Sequence, residues 1–484
     1  MALVEIKLAY GKTGLEFSLP DDANVTMVRP KFIAGLPDQA GAIREALRRP
    51  IASPPLREVV QASGKVGIVF SDITRPTPNH VMLPALLGEL AHVPDERIVL
   101  FNSTGTHRPN TEAELRRMLG DEIVNRYRIV QNDSNDRDSH VRVGTTQSGN
   151  DVWVLGEFVE CDARILTGFI EPHFFAGFSG GGKAVMPGLA LTETVLRNHN
   201  ARNLDSPKAS WGITHGNPVW EEMREAAAMI RPTWLLNVAI NAERQITGVF
   251  AGHWEEAHAH GCAFVKETAM VPAAEPFDIV IGSNSGYPLD LNLYQSVKGM
   301  SAAQQVVKEK GSLIIAAECW DGIPDHGEYK RLLYEAESLE SLLETIRAPG
   351  FEMQDQWEAQ IHALIRLKAE VYFYSHCLSD EQIRRAWLEP CRDIAVTVAK
   401  LLEKYGPDAT LCVLPEGPQT IPYLQRVAQE DAHQPDYDAQ VQEQVGAGQE
   451  SEHRYVGQEL DDIVQDDEHD TQKDGQPFVA GQVI

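Results

Sequence analysis

Residues 163–188 read ARILTGFIEPHFFAGFSGGGKAVMPG. The apolar start of this stretch, residues 163–168, predicts a β-strand, and a glycine-rich loop follows it. Glycine permits positive φ angles and close approach to the backbone, which a loop folded around a ligand requires. His173 and Lys183 lie among the otherwise largely apolar residues of this loop. The stretch therefore predicts a strand that leads into a ligand-binding loop.

Residues 177–183 also satisfy the phosphate-binding pattern G-x-x-x-x-G-K. The next residue is Ala184, whereas a P-loop carries Ser or Thr there to bind magnesium. On these residues alone, two interpretations stay open. The run is either a loop that binds some phosphate or a tight glycine turn that packs a helix onto a sheet.

Polar side chains follow two other predicted strands. Residues 65–70 form an apolar run that ends before Asp72 and Arg75, and residues 97–101 form another that ends before His107. Because open α/β sheets bind ligands at the carboxyl ends of their strands, we expect these side chains at the ligand edge. Each also has a purely structural interpretation: an Asp–Arg pair that stabilises a proline-bounded turn, and a histidine that caps a loop.

The segment EPHFFAGFSGG at 171–181, together with Lys183 and the Pro-Gly pair at 187–188, resembles the signature of the nickel-pincer nucleotide lactate racemase family. The resemblance extends over nearly all of the chain before residue 426. It departs at Gly182, where many members carry a larger residue, often Arg. The resemblance implies an isomerase, a racemase or epimerase of lactate or a related 2-hydroxy carboxylate. It also implies proton-coupled hydride transfer to a tethered cofactor through a 2-keto acid intermediate.

The implied cofactor supplies what side chains lack, because no protein side chain accepts a hydride. By resemblance it is the nickel-pincer nucleotide, nickel pyridinium-3-thioamide-5-thiocarboxylic acid mononucleotide, held covalently on Lys183. His199 resembles the protein ligand to nickel, a metal that imidazole suits. The other residues that the resemblance assigns to cofactor binding are Asp72, Ser179, Gly180, Gly181 and Trp357.

By the same resemblance, His107 and His173 are the catalytic pair, one for each placement of the substrate hydroxyl group. An imidazole with its ordinary pKa of roughly 6.5 exchanges protons readily near neutral pH. Arg75 and Lys298 are assigned to the substrate carboxylate, the first as a planar fork and the second as a point charge. The remaining residues assigned to substrate binding are Tyr294 and Gln295.

The composition argues against several classes of protein. The 484 residues carry a formal net charge of −27 and have an isoelectric point near 5.0, which disfavours nucleic acid or an anionic membrane as a partner. No long uncharged apolar run indicates a membrane span, and the amino terminus lacks the layout of a signal peptide. The six cysteines show no C-x-x-C spacing and indicate reduced thiols. We expect a cytoplasmic protein whose partners are a small 2-hydroxy acid and, for maturation, the cofactor-synthesis enzymes.

Hydrophobic residues make up 43% of the chain, enough for a sizeable core. Alternating strand-like and helical runs predict an α/β fold, with two α/β domains whose mixed or parallel sheets flank an active-site cleft between them. Residues 1–270 are predicted to form the domain with the cofactor tether and the acid/base loops. Residues 271–425 are predicted to form a Rossmann-like domain. Residues 426–484, rich in Asp, Glu and Gln, predict a disordered acidic tail.

Three histidines close together, His253, His258 and His260, invite a metal-site interpretation. They occur in a helical segment at 254–265 without convergent neighbours, so we expect a solvated helix face instead. Two alternatives to a racemase remain: a P-loop-like nucleotide-binding or phosphotransfer protein that uses 177–183, and a non-catalytic protein that keeps the fold. Within the family, motifs for the cofactor and carboxylate do not identify which 2-hydroxy acid is the substrate.

Overall fold

The apolar runs of the sequence become strands and the segments between them become helices in a computed structural model, which describes residues 3–425 apart from 22 and 326. The strands are β1 (Leu3–Leu8), β2 (Leu15–Pro20), β3 (Asn24–Met27), β4 (Val66–Ser71), β5 (Ile98–Ser103), β6 (Arg128–Gln131), β7 (His140–Thr145), β8 (Asp151–Leu155), β9 (Ala163–Phe169), β10 (Pro172–His173), β11 (Gly177–Phe178), β12 (Trp234–Ile240), β13 (Ile246–Gly252), β14 (Met270–Ala273), β15 (Phe277–Ser283), β16 (Val307–Ala316), β17 (Glu370–Tyr374), β18 (Glu389–Cys391), β19 (Thr410–Leu414) and β20 (Ile421–Leu424). The α-helices are α1 (Gln39–Arg48), α2 (Leu56–Val59), α3 (Asn79–Glu89), α4 (Glu112–Leu119), α5 (Asp121–Arg126), α6 (Gly156–Val159), α7 (Thr192–Asn198), α8 (Ala201–Leu204), α9 (Pro218–Met229), α10 (Trp254–Ala269), α11 (Leu293–Gln304), α12 (Tyr329–Glu335), α13 (Leu339–Ile346), α14 (Gln356–Lys368), α15 (Asp380–Arg385) and α16 (Ile394–Tyr405).

The first large sheet has the strand order β13-β12-β9-β4-β5-β6. Its strands run parallel except β13, which pairs antiparallel with β12. Residues 66–70 of β4 are all buried, as expected of a strand covered on both faces. The chain leaves β4 toward β5 and β6 on one side, and it later adds β9 and β12 on the other side. Ligands of open α/β sheets bind at such a reversal, outside the carboxyl ends of the strands.

The second large sheet has the order β18-β17-β16-β15-β19-β3, and all its strands are parallel. Its order reverses beside β15, between β15 and β19. Helix α11 follows β15 along the chain, so the first turn of α11 lies beyond the carboxyl end of that strand. In both sheets, polar loops therefore follow the strands at which the strand order reverses. The predicted α/β fold with parallel-dominated sheets is confirmed.

The amino-terminal hairpin β1–β2 packs with the second sheet. Its apolar residues Ile6 and Leu8 belong to the same buried cluster as Ile279 of β15, and β3 pairs with β19. The sequence assigned this segment to a domain of residues 1–270, whereas its buried face lies on the second sheet. Both sheets belong to one compact unit. The domain boundaries at 1–270 and 271–425 stay a prediction.

Two further expectations concern membrane-spanning helices and the carboxyl-terminal acidic tail. None of the helices described is both long and apolar enough to cross a membrane. The predicted acidic tail, residues 426–484, lies outside the described residues.

Candidate active site

The loops after β4 and β5 bring Asp72 and His107 into contact. Nδ1 of His107 lies 2.8 Å from Oδ2 of Asp72, and the Thr74 hydroxyl donates to Oδ1 of Asp72 over 2.8 Å. The Asp72 side chain is 3% exposed, whereas that of His107 is 44% exposed. Burial opposes ionisation of Asp72, but the hydrogen bond and charge of His107 outweigh it and lower the pKa of the carboxyl group. The carboxylate therefore orients an imidazole whose other side is open to solvent.

The glycine-rich loop after β9 is closed by the hydroxyl group of Ser179. This group accepts a hydrogen bond from the backbone N–H of Glu171 over 2.9 Å and donates one to the carbonyl of Phe169 over 2.9 Å. A 3-10 helix, Gly181–Ala184, then carries Lys183. A P-loop instead opens an α-helix and places a hydroxyl group after its lysine, where this chain has alanine. The P-loop interpretation therefore lacks its structural context.

The buried ring of Phe175 contacts three of the predicted site residues. Its centroid lies 4.6 Å from the ring of His173 and 5.0 Å from the ring of His199, and Nζ of Lys183 lies 5.9 Å from it. The indole ring of Trp357, on α14, lies edge-on to His199 at 5.3 Å. The structure thus brings the predicted tether, the predicted nickel ligand and one predicted acid/base residue into a single cluster.

Three basic side chains act on this cluster: Lys183, which belongs to it, and Arg75 and Lys298. All three act electrostatically on both His173 and Glu171. Arg75 is exposed, and Lys183 and Lys298 are half-buried, so a ligand from solvent can reach them. The carboxylate of Glu171 offsets only part of their charge. The positive charge that remains suits an anionic ligand.

Burial and these charges lower the pKa values of the cluster. Burial, followed by the charges of Lys183, Lys298 and Arg75, holds the pKa of His173 well below its ordinary 6.5. Burial and then Arg75 lower the pKa of Lys183 to about 7. Burial and the charge of Lys183 lower the pKa of His199 to about 3. At neutral pH both imidazoles are therefore neutral, and much of the Lys183 amine is uncharged.

The two histidines of this cluster differ in their hydrogen-bond partners. Nδ1 of His173 accepts a hydrogen bond from the backbone N–H of Ala176 over 3.2 Å. A neutral imidazole that accepts at Nδ1 carries its proton on Nε2. Nδ1 of His199 is buried and has no hydrogen bond of 3.5 Å or less to a described residue, although the Val195 backbone acts on the ring as a weaker partner. A nitrogen held this weakly costs free energy unless a ligand improves the interaction.

Helices α11 and α14 contribute residues from the side of the second sheet. Nζ of Lys298 donates to Oε1 of Gln295 over 2.7 Å, and the Tyr294 hydroxyl lies 3.4 Å from Oδ1 of Asp355. Burial keeps the Tyr294 hydroxyl protonated, because it raises the pKa well above 10.0. Burial also raises the pKa of Glu358 to about 8, against the opposing charge of Lys298. Tyr294, Gln295 and Lys298, which are predicted to bind substrate, lie together on the first two turns of α11.

Arg75 connects the His107–Asp72 pair to the cluster around Phe175, because its charge acts on Asp72 as well as on His173. Arg75 thus lies within electrostatic range of both groups. Ser179 differs from the others, since its hydroxyl group is engaged inside the loop. The roles assigned to individual residues stay predictions.

His258 was expected on a solvated helix face, and this expectation was wrong. The residue is 4% exposed, and its Nε2 atom donates to the carbonyl of Ser179 over 2.9 Å. Trp254, His258 and Cys262 recur every four residues and form one buried stripe of α10. That spacing was the signal in the sequence for a buried histidine. Phe175 and Glu171 were also missed, although both lie within the motif.

Two family models match most of the described chain. The model described as "Lactate racemase N-terminal domain" matches residues 10–212, and the one described as "Lactate racemase C-terminal domain" matches residues 272–421. The chain belongs to the lactate racemase family. Membership confirms the resemblance to lactate racemases and the predicted enzyme class, an isomerase.

Individual members of the lactate racemase family are similar over nearly their full length. A lactate racemase from Thermoanaerobacterium thermosaccharolyticum is 35% identical over 425 residues, which are 87% of this chain and 99% of that protein. A lactate racemase from Lactiplantibacillus plantarum is 37% identical over 419 residues, 86% of this chain and 99% of that protein. The structure of the lactate racemase apoprotein from T. thermosaccharolyticum matches with a TM-score of 0.81 and 34% identity, over 87% of this chain and 100% of that chain.

Proposed function

We propose that this protein interconverts the enantiomers of a 2-hydroxy acid, lactate or a related 2-hydroxy carboxylate. The observation that carries the proposal is the cluster of Arg75, Lys298 and His173, with His107 on a neighbouring loop. Cations hold a carboxylate, and imidazoles exchange a hydroxyl proton at neutral pH. The names of the relatives support lactate as the first substrate to test.

His107 is suited to accept a hydroxyl proton. Its Nδ1–H donates to the carboxylate of Asp72, so the lone pair of the neutral ring lies on Nε2. A proton taken up at Nε2 makes an imidazolium, which the charge of Asp72 stabilises. Asp72, assigned by resemblance to the cofactor, would thus act on the proton-transfer residue.

His173 is held in the opposite tautomer. The backbone N–H of Ala176 occupies Nδ1, so Nε2 carries the proton and donates a hydrogen bond toward substrate oxygen. The charges of Arg75 and Lys298 disfavour a second proton on this ring. In this state His173 can give a proton to substrate oxygen from Nε2, and it can take one up at Nε2 only in the other tautomer, after Nδ1 is released from Ala176. A substrate carboxylate bound by those cations offsets their charge and so opposes the lowering of the His173 pKa.

Two features of the chain fit the nickel-pincer nucleotide. An amine with a pKa of about 7 is largely available as a nucleophile at neutral pH, as covalent attachment to Lys183 requires. The buried His199 ring, neutral at pH 7 and without a hydrogen bond of 3.5 Å or less at Nδ1 to a described residue, fits a metal ligand. No three His, Cys, Asp or Glu side chains converge on a metal position within residues 3–425 as described, so nickel on His199 would take its other ligands from the bound group. When bound, the cofactor supplies the hydride acceptor that side chains lack.

The assignments of individual residues to cofactor and substrate follow the same family resemblance and stay predictions. Trp357 and the loop residues are proposed to contact the cofactor, and the residues at the start of α11 are proposed to shape the substrate pocket. The cytoplasmic location and the need for cofactor-synthesis enzymes stay predictions as well. The loop residues in question are Ser179, Gly180 and Gly181.

One preparation tests the proposal. Protein produced together with the cofactor-synthesis enzymes is expected to contain nickel and to carry a mass adduct on Lys183, measured by elemental analysis and peptide mass mapping. Lys183→Ala is expected to lose the adduct, whereas Lys266→Ala, at an exposed lysine of α10, keeps it. Nickel-free, unmodified protein that still interconverts enantiomers would overturn the cofactor assignment and leave the racemase activity standing.

The substrate is identified by a panel of single-enantiomer 2-hydroxy acids. Each acid is incubated with the loaded protein, and the appearance of its opposite enantiomer is followed by chiral chromatography. Lactate, larger aliphatic, aromatic, dicarboxylic and sugar acids are included because the cations recognise the carboxylate common to all of them. No conversion of any member by loaded protein would contradict a 2-hydroxy acid racemase.

A further inference from the structure

Two buried side chains from outside the glycine-rich loop hold the segment 179–181. The backbone N–H of Gly181 donates to Oδ1 of Asn237, on β12, over 2.8 Å. Nε2 of His258, on α10, donates to the carbonyl of Ser179 over 2.9 Å. Asn237 is 1% exposed and His258 is 4% exposed, so water does not compete for either bond.

The two holding side chains are themselves fixed. Nδ2 of Asn237 donates to the carbonyl of Leu236 over 3.0 Å, which directs Oδ1 to the loop. Sγ of Cys262, one turn along the same helix, lies 3.7 Å from Nδ1 and 3.6 Å from Nε2 of His258, so it packs against the ring. Since Nε2 of His258 faces a carbonyl oxygen, it carries the proton. Each side chain therefore presents a defined donor or acceptor to the loop.

These contacts are possible only because positions 180 and 181 are glycine. Gly180 and Gly181 have φ angles of 77° and 55°, which side-chain-bearing residues rarely adopt. A Cβ atom on Gly180 would lie 2.6 Å from Oδ1 of Asn237, and one on Gly181 would lie 2.7 Å from the ring of His258. The two glycines are thus packed directly against the two side chains that hold them.

The held segment immediately precedes the tether. The backbone N–H of Lys183 donates to the carbonyl of Gly180 over 3.1 Å, which starts the turn that presents the lysine. A change in the position of Gly180 or Gly181 would therefore move the Lys183 backbone. Because Lys183 is half-buried beside Phe175, a displacement of about 1 Å would take its amine away from the cluster.

We propose that Asn237 and His258 are positioning residues, which fix the loop so that Lys183 presents its amine to the group that it binds. The identity of that group rests on the proposed function, but the fixing of the loop does not. His258 acts through the Ser179 carbonyl and Asn237 through the Gly181 amide. Neither residue is assigned contact with substrate.

The first test uses protein made without the cofactor-synthesis enzymes and measures hydrogen–deuterium exchange of the loop. In His258→Leu and Asn237→Leu, amides of the peptide that covers residues 179–184 are expected to exchange roughly tenfold faster, as loss of one buried hydrogen bond implies. In His258→Gln, which keeps a donor near the position of Nε2, exchange is expected near the wild-type rate. Unchanged exchange in both leucine variants, with folding confirmed by circular dichroism, would overturn the proposal.

The second test uses protein made with the cofactor-synthesis enzymes. The fraction of Lys183 that carries an adduct is expected to fall roughly tenfold in His258→Leu and to recover in His258→Gln. His260→Leu, on the same helix, is the matched control and loads like wild type. In the loaded fraction, kcat is expected to fall with KM unchanged, because Arg75 and Lys298 are untouched.

The outcomes separate the two proposals. A wild-type protein without an adduct contradicts the proposed attachment of the cofactor to Lys183 and leaves the exchange test standing. Full loading of His258→Leu contradicts the positioning role while the proposed function survives. Equal loss of loading in His258→Leu and His258→Gln would show that ring volume matters and the hydrogen bond does not, which also overturns the positioning role.

Discussion

The Nδ1 atom of His107 lies 2.8 Å from the Oδ2 atom of Asp72, across the ends of the neighbouring strands β4 and β5. Thr74 donates to the other carboxylate oxygen, so the carboxylate is held from two sides. A fixed carboxylate on Nδ1 sets both the tautomer and the direction of the imidazole ring. We propose from this relationship that Asp72 acts in proton transfer through His107.

We expect Asp72→Asn to lower kcat by about 10²–10⁴, because an amide permits the wrong tautomer of His107 and does not stabilise its imidazolium form. The assay is chiral analysis of loaded protein, with adduct content measured in the same sample. Asp95→Asn removes an exposed carboxylate that pairs with Arg126 and serves as the control. Wild-type kcat in Asp72→Asn would exclude this role.

The contact between Asp72 and His107 should also affect the free energy of unfolding. The folded-state pKa of Asp72 lies below its ordinary 3.8, so the ionised carboxylate stabilises the folded protein above that pH. This contribution is lost as the pH falls through the lower folded-state value. The difference in unfolding free energy between wild type and Asp72→Asn should therefore shrink below about pH 4, as measured by urea denaturation.

His107→Ala and His173→Ala are each expected to lower kcat/KM by at least about 10² in both directions. Enantiomers have equal free energies, so kcat/KM must stay equal in the two directions for any variant. Initial rates from each pure enantiomer check this equality and the loss. His260→Ala is the control histidine. Full activity in either variant would remove that histidine from the mechanism.

The pKa of Lys183, lowered to about 7 by burial and the charge of Arg75, predicts unusual reactivity. In protein without cofactor, labelling by an amine-directed reagent should rise with pH and level off above about pH 7. An exposed lysine such as Lys266 should continue to gain reactivity up to about pH 10. Peptide mass mapping after short exposure measures both sites. Parallel pH profiles for the two lysines would contradict the shift.

His173 should respond to the charge of Lys183, which is the largest contribution after burial to its low pKa. Lys183→Met removes that charge and keeps most of the side-chain length, so the pKa of His173 is expected to rise. Titration of the histidine ring signals by nuclear magnetic resonance, in protein without cofactor, measures the change. Lys266→Met is the control. An unchanged pKa would mean that the two residues lie too far apart to interact.

Phe175→Leu tests whether the shared ring matters for function beyond its contribution to folding. Loss of a buried ring is expected to lower the free energy of unfolding by about 1–2 kcal/mol. Phe101→Leu removes a comparable buried ring from β5, which packs on Phe158 of α6 with the ring centroids 5.1 Å apart, and should cost a similar amount. Loading of Lys183 and kcat should fall in Phe175→Leu alone. Equal activity of the two variants would reduce Phe175 to a packing residue.

Much of the site could be predicted from sequence because its parts are local. Each strand was a short apolar run, and Asp72, His107 and Lys183 followed such runs at intervals that a parallel sheet converts into proximity. His258 shows where this reasoning stopped. The spacing of Trp254, His258 and Cys262 indicated a buried stripe, but only the packing of α10 against the loop showed that His258 donates to the Ser179 carbonyl.

By itself the sequence determined the α/β class, the succession of strands along the chain and the loops that carry the candidate site residues. Hydrophobic period and glycine content act over a few residues, so they can be recognised without the fold. It did not determine which side chains share a partner. The pairing of Asp72 with His107, the ring of Phe175 between His173 and His199, and the low pKa of Lys183 were decided by tertiary structure alone. Hydrogen bonds and desolvation depend on atoms that are distant in the chain and a few ångströms apart in space.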